Sequence, residues 1–68
     1  MNVKVNKMAL IKAIAETGKT TSTISVEAGI GDSTIGRIIN SKTHKTHINT
    51  LTKLSKALGI DLEELVEI

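Results

Sequence analysis

The chain has 68 residues, a formal net charge of +2 and no cysteine, proline or aromatic residue. This length allows one domain, so we expect a single unit over residues 1–68. Because cysteine is absent, disulfide bonds and thiolate metal sites are excluded, and the core must be built from aliphatic residues. No apolar run approaches the ~20 residues that span a bilayer, and the N-terminus lacks the features of a signal peptide. We therefore expect a compact all-α protein in the cytoplasm, without membrane contact.

Positive and negative charges are distributed unevenly along the chain. All nine lysine and arginine residues lie at or before Lys56 with three acidic residues among them, so residues 1–56 carry +6 (nine minus three). The last eleven residues carry −4, from Asp61, Glu63, Glu64 and Glu67. This asymmetry favours one surface for a polyanion and a separate acidic surface for a protein partner, with a chance distribution over a solvated surface as the alternative.

The first predicted helix begins after Asn6, a favourable N-cap, and ends near Thr17, because Gly18 follows it. Its apolar positions recur at helical spacing and predict a buried stripe, formed by Leu10, Ile11, Ile14 and Ala15. Ahead of this helix, Val3 and Val5 alternate with a lysine, and this spacing indicates a short extended arm.

Residues 21–40 have the apolar spacing of two short helices that meet at a sharp turn around Gly29. The first of the two begins after Thr20, in a run of hydroxyl side chains that offer caps, and ends at Ala28. The second starts after Gly31, with Asp32 at the positive end of its dipole, and ends near residues 40–41. The apolar residues expected to face the core here are Ile24, Ala28, Ile30, Ile35 and Ile38.

A small polar face remains on the outside of the second of these helices. The residues expected on it are Asp32, Ser33, Gly36, Arg37 and Asn40. A helix whose outer face is small and polar and carries one arginine suits entry into a DNA groove. The segment over about residues 21–40 is therefore predicted to be a helix-turn-helix motif.

A polar loop over residues 42–45 is predicted to lead to a fourth helix, which Thr46 caps and Gly59 ends. The residues of this helix expected to face inward are Ile48, Leu51, Leu54, Ala57 and Leu58. Asp61 is predicted to cap a short last helix, with Glu64 as its capping-box partner. The buried side of that helix is expected to contain Leu62, Leu65 and Val66.

Two separated blocks of residues carry a family resemblance. In the first block the matching residues are Ile24, Ser25, Gly29, Ile30, Ile35 and Ile38. In the second block they are Thr50, Leu51, Leu54, Ala57, Leu58, Gly59, Ile60, Leu62 and Leu65. With both blocks, the chain from about residue 11 to residue 65 resembles the phage repressor and Cro type of helix-turn-helix regulator. The resemblance implies an all-α, compact five-helix lambda-repressor-like DNA-binding domain that needs no cofactor.

Three features depart from the family pattern. Ser41 follows the predicted recognition helix where relatives often have glycine, and Thr21 opens the preceding helix where relatives have an amide. Relatives frequently pair an arginine with a glutamate at the positions that match Ile14 and Ile39. Replacing both partners of an ion pair by aliphatic residues can preserve or increase stability, so we expect Ile14 and Ile39 to touch.

The helix-turn-helix interpretation assigns two kinds of DNA contact, to phosphates and to bases. The residues expected to contact phosphate are Thr20, Thr21, Ser22, Asn40, Lys42, Thr43, His44 and Lys45. Those expected to face bases are Asp32, Ser33, Thr34, Gly36 and Arg37. Alternatives stay open, since the threonines can serve only as caps and the lysines can lie in a solvated loop. Likewise, Arg37 can bind a phosphate and Asp32 can merely stabilise the start of its helix.

We expect a sequence-specific repressor or Cro-like regulator from a phage, prophage or mobile element, which binds a palindromic operator in double-stranded DNA as a homodimer. Unless they complete the monomer core, the residues expected at the dimer surface are Leu62, Val66 and Ile68. The alternative class is an antitoxin or other module that sequesters a protein partner through the acidic C-terminal end. No catalytic arrangement is visible, and His44 and His47 alone do not make a metal site, so we expect neither an enzyme nor a bound metal.

Overall fold

The computed structural model describes residues 1–42 and 45–67 of the chain. In chain order its elements are β1 (Asn2–Lys4), α1 (Lys7–Thr17), α2 (Thr21–Ala28), α3 (Thr34–Asn40), β2 (Lys45–His47), α4 (Ile48–Leu58) and α5 (Leu62–Leu65). The five helices of the described residues confirm the helical architecture, to which a small two-stranded sheet is added. Within those same ranges, none of the helices is both long and apolar enough to cross a bilayer. The predictions for Thr43, His44 and Ile68 fall outside the described residues.

The first two helices begin at the caps that the sequence predicts. Asn6 Oδ1 accepts a hydrogen bond from the Ala9 N–H at 3.1 Å, which satisfies a free donor at the start of α1. The Thr20 hydroxyl does the same for the Thr23 N–H at 3.1 Å at the start of α2. The extended arm predicted ahead of α1 is also present, as β1.

The cap of α4 differs from the prediction, whereas that of α5 agrees with it. His47 caps α4, since its Nδ1 accepts a hydrogen bond from the Asn49 N–H at 3.1 Å. The predicted cap, Thr46, is wrong because that residue lies inside β2, where its backbone pairs with β1. At α5, the Asp61 N–H donates to Glu64 Oε2 at 3.1 Å, as a capping box requires.

The start of α3 also differs from the prediction, by about two residues. A tight turn precedes the helix, in which the Thr34 N–H donates to the Gly31 carbonyl at 3.0 Å. Ser33 is the N-cap, so Asp32 lies in the turn ahead of the helix and not in its first turn. Residues 31–33 are thus used by the connection, which shortens α3 to seven residues.

The N-terminal strand β1 lies between two other segments of the chain. On one side it pairs antiparallel with β2, in a register that aligns Asn2 with His47, Val3 with Thr46 and Lys4 with Lys45. On the other side Val5 forms an isolated bridge with Val66, and the Asn6 N–H donates to the Leu65 carbonyl at 2.8 Å. The two ends of the chain and the segment ahead of α4 are therefore joined by backbone hydrogen bonds.

Aliphatic residues from β1's C-terminal flank and from every helix form the core. The buried members are Val5, Leu10, Ile14, Ile24, Ile35, Ile38, Leu51, Leu54 and Leu65. Two serines are buried with them, and both have partners: Ser25 Oγ donates to the Thr21 carbonyl and Ser55 Oγ to the Thr52 carbonyl, each at 2.8 Å. Each hydroxyl is satisfied within its own helix, so the core keeps no unpaired side-chain polar atom among the described residues.

The predicted buried stripe of α1 is only half correct. Leu10 and Ile14 are buried, whereas Ile11 is 47% exposed and Ala15 is exposed as well. Consecutive helical residues are rotated by about 100°, so Ile11 lies beside the narrow face that α3, α4 and α5 cover. Ile39 packs, partly buried, against the core cluster that contains Ile14. Direct contact between these two isoleucines stays a prediction.

Candidate nucleic-acid interface

The connection between α2 and α3 is a tight turn at Gly29. Gly29 has a φ of 73°, a left-handed conformation that side-chain-bearing residues rarely adopt. The chain then turns so that the Ile30 N–H donates to the Ser25 carbonyl at 2.9 Å, which closes the end of α2. Ile30 packs against the core from within this connection, as the sequence predicts. The turn and its apolar plug together set the direction in which α3 leaves α2.

One face of α3 is held by the core and the opposite face is open to solvent. Ile35 and Ile38 are buried and fix the inner face. The exposed residues of α3 and its preceding turn are Asp32, Ser33, Gly36, Arg37 and Asn40, and Thr34 is partly buried. The predicted outer face is therefore present, backed by two buried isoleucines. It carries one cation, Arg37, which has no ion pair within the described part of the chain.

Gly36 lies on this open face, and packing within the protein does not explain it. A Cβ atom built on Gly36 would meet no atom within 4 Å. An alanine would therefore fit, and in a helix interior it would be more favourable than glycine by ~1 kcal/mol. The glycine leaves an uncovered stretch of backbone at the centre of the exposed face of α3.

The start of α2 offers hydroxyl groups beside the helix-turn-helix. Thr20 caps the helix and also lies 3.0 Å from the Thr23 hydroxyl, so its side chain is already used within the protein. The side chains of Thr21 and Ser22 are exposed. Capping and phosphate binding can thus be divided between different hydroxyl groups at this end of α2.

Two lysines from the N-terminal end of the chain, Lys4 and Lys7, lie beside residues that follow α3. Lys42 and Lys45 are exposed there. Lys4 is aligned with Lys45 across the strand pair, and Lys7 Nζ donates a hydrogen bond to the carbonyl of Ser41. The sequence did not predict that Lys4 and Lys7 would lie near this segment. The contacts join residues more than thirty positions apart, so no local sequence pattern indicates them.

Of the predicted dimer-surface residues, the two that the structure describes lie against the protein's own core. Leu62 and Val66 are partly buried and pack on the core cluster. The exposed positions around them are acidic, at Glu63, Glu64 and Glu67. The large apolar residues that are exposed in the described ranges lie elsewhere, at Met1, Met8, Ile11 and Val26. The described part of the C-terminal end therefore presents charge more than apolar surface.

Comparison with known proteins identifies a family. A family model described as a Cro/C1-type HTH (helix-turn-helix) DNA-binding domain matches residues 9–68. A search of curated proteins and a search of solved structures each gave no significant match. The matched range includes α2, α3 and all of the residues predicted to contact DNA, and it begins after β1 and the first two residues of α1.

Proposed function

The chain belongs to the Cro/C1-type helix-turn-helix family of DNA-binding transcription regulators, and we propose that it is a repressor or Cro-like protein that reads a specific operator through the major groove. The observation that carries this proposal is the solvent-facing side of α3, which is polar and backed by the buried Ile35 and Ile38. An origin in a phage, prophage or mobile element and action in the cytoplasm belong to the same proposal, on the strength of the repressor and Cro resemblance.

Base reading is assigned to the exposed face of α3. An α-helix with its side chains is about 10–12 Å in diameter, which suits a major groove about 12 Å wide. Arg37 can make a bidentate contact to guanine, worth ~1–3 kcal/mol of discrimination, while Ser33 and Thr34 can donate or accept hydrogen bonds. Gly36 lets the groove edge approach the helix backbone. Asp32 lies ahead of the N-cap, and its proposed role is limited to the start of the helix.

Phosphate binding is assigned to both sides of α3. On one side Thr21 and Ser22 are exposed at the start of α2, where free backbone N–H groups and the helix dipole favour anions. On the other side Lys42 and Lys45 follow α3.

Two copies on a palindrome are proposed because one short helix reads only a few base pairs. The two recognition helices of such a dimer enter successive major grooves about 34 Å apart. We propose α4, α5 and the C-terminal tail as the shared surface. Its described apolar residues are partly covered in the monomer, so two chains would associate chiefly when DNA brings them together.

Selection from a random pool of duplex DNA tests the proposal most directly. An enriched palindrome would support sequence-specific and two-fold binding together. Arg37→Ala should then weaken binding to the selected sequence by about ten-fold to a hundred-fold, whereas Lys12→Ala removes the same charge from an exposed position of α1 and should have a much smaller effect. Failure to enrich any sequence at low salt would contradict the proposal. Tight capture of a protein partner that survives Arg37→Ala would favour the antitoxin class instead.

A further inference from the structure

A cation at the start of α1 contacts the end of the helix proposed to read DNA. Lys7 is the first residue of α1 and is partly buried, and its Nζ donates a hydrogen bond to the carbonyl of Ser41. Ser41 is the C-cap of α3 and directly follows its last residue. The contact spans 34 positions in the sequence and joins two helices at their opposite ends.

The location of Lys7 is unfavourable for α1 and favourable for α3. A positive charge at a helix N-terminus opposes the helix dipole, and the first turn of α1 has no acidic residue to compensate it. At the C-terminus of α3 the same charge meets the negative end of a helix dipole. The electrostatics of the contact therefore stabilise the end of α3 at the expense of the start of α1.

The backbone at Lys7 is well anchored, so it can serve as a fixed reference for α3. The preceding residue, Asn6, donates its N–H to the Leu65 carbonyl at 2.8 Å and caps α1 with its side chain. By contrast, α3 has seven residues, and its N-cap, Ser33, makes no capping hydrogen bond through its side chain in the described structure. A short helix with a weak N-terminal cap depends on tertiary contacts, and the Lys7 contact adds to the packing of Ile35 and Ile38 by holding the other end of α3.

We propose that Lys7 is a positioning residue for DNA binding, which holds the C-terminal end of α3 at the angle that the operator requires. This inference rests on the proposed DNA-reading role of α3. Lys7 acts through Ser41 and does not itself contact DNA. Lys7 precedes the residues that the family model matches, whereas Ser41 lies among them.

Lys7→Met tests the proposal, because methionine keeps the apolar stem and removes only the donor and its charge. Lys12→Met is the matched control, since it removes the same charge from an exposed position of the same helix. Affinities for the selected operator and for random duplex are measured over a range of salt concentrations, well below the Tm of each variant. Lys7→Met should weaken operator binding by roughly ten-fold relative to the control, because DNA binding would then have to order the end of α3 that the contact holds in the free protein. Binding to random duplex and the salt dependence should match those of the control, and Lys7→Arg should restore part of the operator affinity.

Three results would overturn the proposal. A salt slope reduced by about one relative to Lys12→Met, with operator and random duplex weakened alike, would show that Lys7 contacts phosphate directly. A lower Tm with unchanged operator affinity would limit Lys7 to stability. Equal behaviour of the two variants would show that the contact has no role.

Amide hydrogen exchange without DNA separates this proposal from the proposed function. The amides of residues 38–41, at the end of α3, should exchange faster in Lys7→Met than in Lys12→Met, while those of α4 should not. If the wild-type protein selects no operator, the proposed function fails and exchange still reports on the contact. If the wild type selects an operator but residues 38–41 exchange at unchanged rates in Lys7→Met, the positioning role alone fails.

Discussion

At the residue scale, stability and the proposed DNA binding make opposite demands at a glycine on the exposed face of α3. Gly36 has open space where a side chain would begin. Gly36→Ala should therefore raise the free energy of unfolding by ~0.5–1 kcal/mol, since alanine is the better helix former. If DNA approaches the helix closely here, the added methyl group should also weaken binding to the selected operator.

Urea denaturation and a binding titration measure the two effects of Gly36→Ala separately. Random duplex serves as the internal control, because binding through phosphates alone should change little. A variant that is more stable and binds the operator as tightly as the wild type would show that the glycine does not mark a close approach to DNA. Reduced stability would instead mean that the backbone of α3 departs from ordinary helical geometry at this residue.

Residue roles on this face are also where sequence reasoning is weakest. Exposure of Ser33 and Arg37 could be predicted from the apolar spacing, because the buried Ile35 and Ile38 determine which side of the helix remains outside. Whether Arg37 meets a guanine or a phosphate depends on how the whole motif is placed against a duplex. That placement is a property of the complex, and nothing in the spacing of aliphatic residues specifies it.

At the element scale, two glycines provide a matched test of the turn between α2 and α3. Gly29 and Gly59 both end helices in left-handed conformations, with φ values of 73° and 71°, and a Cβ atom on either would meet nothing within 4 Å. Gly29→Ala and Gly59→Ala should therefore each lower stability by about 1–2 kcal/mol, the cost of a left-handed alanine. In titrations with a half-site of the operator, where the proposed dimer surface on α4 and α5 is not used, only Gly29→Ala should also reduce affinity, because that turn and not the one at Gly59 precedes α3.

Half-site titrations at a temperature where both glycine variants remain folded will distinguish the two turns. Equal losses of affinity would show that DNA binding follows overall stability and not the geometry of this turn. Unchanged affinity in Gly29→Ala, with the expected loss of stability, would show that α3 keeps its direction despite the strain.

Most helix limits could be predicted from the sequence because their signals are local, whereas the pairing of the two strands could not be predicted. Asn6 and Thr20 accept hydrogen bonds from the residues three positions later in the sequence, so a short stretch of sequence contains the whole signal. The partners of β1 lie more than forty residues away, and a three-residue strand has too short a pattern to identify them. The prediction of Thr46 as the cap of α4 is wrong because the backbone of Thr46 pairs with β1, and this long-range pairing is not visible in the local sequence.

At the scale of the whole molecule, the N-terminal segment is part of the core and not an appendage. Val5 is 1% exposed, bridges to Val66 and belongs to the same buried cluster as Leu10 and Leu65. Removing two of its carbon atoms in Val5→Ala should lower the free energy of unfolding by roughly 2 kcal/mol, from lost burial and the cavity left behind. For a chain of 68 residues, whose total stability is about 3–10 kcal/mol, that is a substantial fraction.

Val26→Ala is the control for Val5→Ala, since it makes the same change at a residue that is 72% exposed and should alter stability by less than about 0.5 kcal/mol. Urea unfolding followed by helical circular dichroism measures the global stability, and exchange of the strand amides measures opening of β1. If β1 were a loosely attached arm, Val5→Ala would speed exchange in the strand and leave the helical transition unchanged. Val5 packs in the same cluster as residues of α1, α3 and α4. We therefore expect Val5→Ala to lower the free energy of unfolding and to speed exchange of the strand amides together, with a single cooperative transition.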